Sequence, residues 1–303
     1  MANKSHPLDW LILASLVVAW GSSFAMTKIA VTHLDAAWIM ALRLAIAAAV
    51  LVPYAYAAGQ TLHAPPRIWA KFTSLAFVGH AAPFFLITWG TGFVTSGVSG
   101  LLMGAIPLFL VVLAHFFLPD EPLTLPKAAG FLLGFAGIIV LIGPKAVFTL
   151  GLSGEEVIGE AAILAGCICY AVHGIAAKRL GIEHPVKQTA AVCLAAALMG
   201  LAFASLASPG GLAGTPSIAL WAVLGLGLLP TAIATLIMYR LLSRMGPSFV
   251  AFSNYLVPVY AVVLGALLLG EPLSWNVGAA LALVLAGIAV SRWQPYSKPE
   301  AAP

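Results

Sequence analysis

Arg43, His80 and His173 lie well inside long apolar stretches, whereas none of the 10 acidic residues falls at the middle of one. A guanidinium forks readily onto a carboxylate, and an imidazole beside it adds a group that can give or take a proton. An organic cation needs the reverse, a deep carboxylate to pair with its charge and exchange it for protons. The inventory therefore suits a ligand with a carboxylate and an uncharged or aromatic body, such as an amino acid. A nucleotide sugar would call for more cations around its pyrophosphate. Hydroxyls and rings accompany the three cationic positions. Trp20 and Ser23, Tyr170 and His173, and Thr231, Thr235 and Tyr239 stand three or four residues apart, which places each set on one helix face. Ser99, Met103, Ser253, Asn254 and Tyr255 complete the intramembrane polar and aromatic set.

Each of these side chains has a plainer reading. A Ser or Thr in a helix commonly bonds its own backbone, and a ring commonly packs. Arg43 is different. About two turns inside a span, a cation costs roughly 2.5–3.5 kcal/mol unless it faces protein or water. It must point inwards, towards a ligand, a backbone carbonyl or Asp35. Trp20, Ser23, Arg43, His80, Ser99, Tyr170, His173, Thr235, Tyr239 and Asn254 form the expected substrate site, and coupling to protons would rest on His80 or His173.

The elements that carry these residues follow from composition. Hydrophobic residues make up 62% of the chain and charged residues 8%, with mean hydropathy +1.04. Soluble domains carry about 25% charged residues, so this chain cannot cover a water-facing surface. Ten stretches long enough to cross a bilayer as helices appear at roughly 9–31, 36–57, 69–88, 93–118, 124–143, 157–179, 186–207, 217–240, 248–269 and 273–292. Lipid offers no partner to unpaired backbone groups, so the fold class is all-α.

The stretches form two sets of five. Glu121-Pro122-Leu123 returns as Glu271-Pro272-Leu273, and 9 of the 20 positions in 121–140 match 271–290. Further back, Pro107 answers Pro258, Lys28 answers Lys178, Leu44-Ala45 answers Leu194-Ala195, and Trp20 answers Tyr170. This periodicity marks duplication, with halves at 1–150 and 151–303 forming one membrane domain. Five spans per half make the second copy enter from the opposite face. With both termini cytoplasmic, the inner side carries 11 Lys and Arg and the outer side only Lys28 and Lys145, a strong positive-inside asymmetry. The net charge of +4 is then topology, with no nucleic-acid partner. Lys4 and the apolar run from Leu8 also look like a signal peptide, but the matching second-half helix is internal, so the first span is read as a helix that stays.

Taken together, the five-plus-five duplication, Trp20-Gly21-Ser22-Ser23 in helix 1, a proline in helices 4 and 9 and Glu-Pro-Leu before helices 5 and 10 resemble the drug/metabolite transporter superfamily, EamA type. The resemblance covers nearly the whole chain and implies an inner-membrane carrier of small metabolites. Helices 1, 3, 4, 6, 8 and 9 would surround a central cavity, and the YddG-like amino acid exporters are the favoured branch. Inverted repeats of this kind work by alternating access around a midplane site. A multidrug or organic-cation exporter of the same fold is the alternative.

Other motifs are read structurally first. Pro107 and Pro258 bend their helices and stand as a paired gate or hinge. Glu121 and Glu271 are expected to cap helices 5 and 10, each with proline at the first helical position. Gly100-x-x-x-Gly104 and Gly130-x-x-x-Gly134 permit close helix approach, in this chain or in a homodimer. Cys167, Cys169 and Cys193 lie inside spans; they imply neither a disulfide nor a metal site, and no cofactor is expected. Gly97-Val98-Ser99-Gly100 and Ala171-Val172-His173-Gly174 resemble the Ser and His motifs of rhomboid intramembrane serine proteases. Nucleophilic catalysis needs that hydroxyl within about 3 Å of the imidazole. In the expected topology their depths differ by on the order of 10 Å.

Overall fold

The computed structural model describes residues 6–118, 123–142, 154–180, 184–250 and 252–291. Ten helices in two five-helix inverted repeats account for them, with no strand among the described residues. In chain order these are α1 Pro7–Val31, α2 Ala36–Ala57, α3 Pro66–Phe93, α4 Ser96–Phe117, α5 Leu125–Ile142, α6 Glu155–Leu180, α7 Pro185–Ala207, α8 Ser217–Met245, α9 Ser253–Leu269 and α10 Trp275–Ser291. A single turn, Pro247–Val250, precedes α9. Seven of the ten are long and apolar enough to span a bilayer, and α5, α9 and α10 are shorter apolar helices.

Both boundaries of α3 differ from the hydropathy reading for physical reasons. α3 begins at Pro66, proline in its first turn, so Arg67 and Lys71 ride on a membrane-boundary turn. It also runs on to Phe93, because Lys28 from α1 crosses to its end. The Lys28 ammonium donates to the carbonyls of Thr91, Gly92 and Val94 at 3.1, 3.1 and 2.7 Å. These are the acceptors that the last turn of a helix leaves unpaired.

Glu271 corrects an expectation. It does not cap α10, which starts four residues later at Trp275. Its carboxylate instead accepts from the backbone N–H groups of Ser96 and Gly97 at 2.6 and 2.9 Å and from the Ser96 hydroxyl at 3.0 Å. The capped helix is α4, in the other repeat. Sequence adjacency pointed to the nearer helix; three donors converging on one carboxylate outweigh it. Glu121 lies outside the described residues. At the opposite end of the bundle Asp9, buried on α1, meets Arg244 of α8 at 3.1 Å.

The repeats interlock. α2 lies along α7 and α5 along α10, each a helix against its own counterpart, while α3 packs on α6 as α8 packs on α1. Small residues set the closeness. Gly130 faces the Gly287 carbonyl and Ser291, and Gly287 faces the backbone of Gly130 and Gly134. Gly100 faces Ala261 and Phe24, and Gly104 faces Val284 and Pro258. Both glycine pairs are thus occupied within this chain. α4 breaks into a 3-10 turn at Met103–Ala105, immediately before Pro107. Pro258 is buried inside α9.

Candidate functional site

Two π turns occupy matching places in the repeats, Phe77–Ala81 in α3 and Gly227–Ile233 in α8. A proline accounts for each. Pro83 and Pro230 lack the N–H that would bond the carbonyl four residues back, and their rings push that carbonyl aside. The ladder resumes with longer steps, Ala82 N–H to the Phe77 carbonyl and Ala234 N–H to the Leu229 carbonyl. Such bulges often sit at functional positions. Here the first bears His80 and the second Thr231.

Between them lies Arg43, on the face of α2 turned to α8. Its Nε donates to the Thr231 hydroxyl at 2.8 Å, and its guanidinium carbon stands 4.1 Å from the centre of the Phe84 ring. Asp35, the acidic partner considered for it, caps α2 by accepting from Ala37 N–H at 2.8 Å. No carboxylate pairs with Arg43 among the described residues, and the amino fork beyond Nε has no hydrogen-bond partner among them.

An aromatic run leads away from the cation. Phe84 lies 5.7 Å from His80 and 6.3 Å from Tyr170, ring centre to ring centre, and His80 meets His173 edge-on at 5.9 Å. Gly79 makes this possible: a Cβ there would run into the His173 imidazole. The Nδ1 atoms of His80 and His173 are buried and find no hydrogen-bond partner among the described residues. Buried polar atoms are normally satisfied, so this pair stands out.

The structure thus brings Arg43, His80, Tyr170 and His173 into one cluster. The other expected site residues lie elsewhere. Trp20 packs with Leu13, Leu16, Ala234 and Leu241 between α1 and α8. The Ser23 hydroxyl bonds the Trp20 carbonyl at 2.6 Å and the Thr235 hydroxyl the Thr231 carbonyl at 2.6 Å, each its own helix. Tyr239 shares a hydrogen bond with Thr189 of α7. Asn254 is half-buried at the start of α9. Ser99 is buried and hydrogen-bonded to Thr91 at 2.8 Å. Its hydroxyl and the His173 ring have different neighbours, so the nucleophile–base arrangement of a serine protease is not formed. Cys167 and Cys193 are buried free thiols beside the Leu102 and Leu44 carbonyls, and no cluster fit to hold a metal occurs among the described residues.

Phe84 and the role of Thr231 are what sequence reasoning missed. A usable signal existed: Gly79-His80 with Pro83, and Gly227 with Pro230-Thr231, mark disturbed helix at places about 150 residues apart.

An EamA-like transporter family model matches residues 8–143 and, a second time, residues 157–293. The chain belongs to the EamA-like transporter family. It is a multi-pass membrane transporter. A solved crystal structure 24% identical, covering 95% of this chain and 98% of its own, superposes with TM-score 0.68 and agrees in fold. Among relatives of this EamA-like chain, the uncharacterized transporter YoaV of Bacillus subtilis is 23% identical over 91% of this chain and 94% of its own. A probable terminal-alkyne amino-acid exporter of Streptantibioticus cattleyicolor is 29% identical over 90% of each. The aromatic amino acid exporter YddG of Ancylobacter novellus is 31% identical over 64% of this chain and 66% of its own.

Proposed function

We propose that this EamA-like transporter exports zwitterionic amino acids with apolar or aromatic side chains across the inner membrane, with both termini cytoplasmic. The observation that carries the reading is Arg43: a guanidinium deep in the bundle, hydrogen-bonded at Nε and covered by Phe84, with no carboxylate against it among the described residues. A buried cation without a protein counter-ion is costly. A substrate carboxylate offsets that cost and gains a charge-assisted fork. Phe84, Tyr170 and His80 then offer rings to the substrate body and polar atoms to its ammonium, whose contacts with ring faces are worth about 0.5–2 kcal/mol. That hold is modest and favours broad selectivity. Relatives named as amino acid exporters support the same substrate class.

Transport proceeds by exchange of conformation between the halves 1–150 and 151–303, one face closing as the other opens. The break before Pro107 and buried Pro258 lie where α4 and α9 would hinge. The test is counterflow in proteoliposomes, with labelled phenylalanine competed by unlabelled phenylalanine, phenethylamine and phenylpropionate. Strong competition by the amino acid and weak competition by the amine is expected. An amine that competes as well as its parent overturns the reading in favour of an organic-cation exporter.

A further inference from the structure

We propose that Thr231 is the positioning residue that fixes the Arg43 fork, and with it the carboxylate specificity of the site; the proposal rests on Arg43 receiving the substrate carboxylate. The device is assembled from three consecutive consequences of the α8 sequence. Pro230 has no N–H, so the Leu226 carbonyl, four residues back, loses its helical donor. The Thr231 hydroxyl donates to that carbonyl at 2.8 Å, beside the longer backbone step of the π turn. With its proton committed, the same oxygen presents only lone pairs outward, and Arg43 Nε donates to it at 2.8 Å. The residue is buried, so water does not compete.

Gly227 brings the two helices together at this point. A Cβ there would overlap the Ile46 side chain and crowd the Arg43 carbonyl. Phe84 covers the guanidinium from the α3 side. One edge and one face of the planar cation are therefore held, and the Nη edge is what remains for a ligand. A fork held this way loses little side-chain entropy when it binds, which is the general advantage of a preorganised site.

The lock exists once. At the matching positions of the first repeat, Thr231 is replaced by Ala81, and the counterpart of Arg43 is Cys193. The helix repair alone does not require a hydroxyl that also faces α2, since α3 carries its π turn with Ala81 in that place. The α2 contact is therefore a property of the site.

The experiment compares Thr231→Val, Thr231→Ala and Thr231→Ser with the unaltered protein in phenylalanine counterflow, with the amount of monodisperse protein measured for each. Thr231→Val and Thr231→Ala are expected to raise the apparent KM about 10-fold, equivalent to about 1.4 kcal/mol, with the maximal rate nearly unchanged. Competition by phenethylamine should stay constant, because the amine does not use the fork, and Thr231→Ser should restore the KM. If valine distorts the turn and lowers the yield, the smaller alanine gives the reading. Equal loss for amino acid and amine, loss of maximal rate alone, or failure of serine to rescue overturns the proposal and leaves Thr231 as helix repair only. Arg43→Gln is run beside them. If it leaves counterflow intact, the carboxylate reading itself falls; if it abolishes counterflow while Thr231→Val matches the unaltered protein, only the lock falls.

Discussion

Along the seam between α5 and α10, Gly130 and Gly134 of one repeat meet Gly287 of the other backbone to backbone, and α2 lies on α7 with Gly200 against Met40 and Ala41. At the centre, positions equally far apart in sequence carry different chemistry: Arg43 against Cys193, His80 against Pro230, His173 against Ser23, Thr231 against Ala81. Both regions descend from the same duplication, and the α5–α10 seam repeats its contact, Gly137 on Ala280 and Val284 answering Gly287 on Gly130 and Gly134. Two halves that trade shapes must pack alike, so the seam keeps its contacts even where its residues have changed. A substrate with a carboxylate at one end and an ammonium at the other has no such symmetry, and a site that holds it cannot have it either. The shared π turns show the boundary between the two demands. The backbone bulge is repeated, while the side chains it presents are not.

Breaking the seam should have the largest effect. A side chain at position 287 would press on the Gly130 carbonyl and the Gly134 backbone, and backbone cannot rotate away as a side chain can. Gly287→Leu is expected to remove most folded protein from the membrane, since overpacking a tight core costs about 1–3 kcal/mol or more. The check is the monodisperse fraction after detergent extraction. Leu at Gly278, whose Cβ would meet nothing among the described residues, serves as the control and should leave it unchanged.

Breaking the centre should spare folding and remove function. Arg43→Gln deletes a charge-assisted contact worth about 1.5–3 kcal/mol, so apparent affinity for an amino acid should fall about 10- to 100-fold with the yield of folded protein retained. Its repeat counterpart sharpens the contrast. Cys193 is buried and its thiol turns to the Leu44 carbonyl; Cys193→Ala should leave affinity within about twofold. Equal effects from the two would show that the centre is symmetric in function after all.

The comparison also explains what could be read from the chain alone. Span number and duplication were legible because bilayer thickness and the repeat act on long stretches. Arg43 was legible because a buried cation is expensive wherever it points. The π turns were not, since one proline inside an apolar run reads as a bend without saying which carbonyl it frees. Trp20 was grouped with the site by its helix, but its ring fills the α1–α8 contact. Glu271 was assigned to the helix beside it in sequence, whereas the donors it meets lie some 175 residues away on α4. Local rules locate such residues and cannot name their partners.

Glu271 therefore gives a third, intermediate prediction. It ties the second repeat to the first helix turn of α4 outside the central cluster. Glu271→Gln keeps an acceptor but loses the charge, and a cap of this kind is worth about 0.5–2 kcal/mol. The midpoint of thermal aggregation in detergent should drop by a few degrees, with apparent KM for the amino acid unchanged. A raised KM with an unchanged midpoint would mean that the carboxylate touches substrate, and the ends of the bundle would then belong to the site.

The smallest effect is expected at Tyr239. It shares a helix face with Thr231 and Thr235, which on spacing alone puts its ring in the site, but its hydroxyl is spent on Thr189 across the α7–α8 contact. A hydroxyl already paired to protein has little to offer a ligand, and a net hydrogen bond contributes about 0.5–1.5 kcal/mol. Tyr239→Phe should lower the thermal midpoint slightly and shift KM by less than about threefold. Thr189→Val should do the same, and the double variant should add nothing further, because both single changes remove one interaction. If Tyr239→Phe raised KM as far as Arg43→Gln while Thr189→Val did nothing, the hydroxyl would be serving the substrate. The asymmetric centre would then extend two turns down α8 from Thr231, and the symmetric packing around it would be correspondingly smaller.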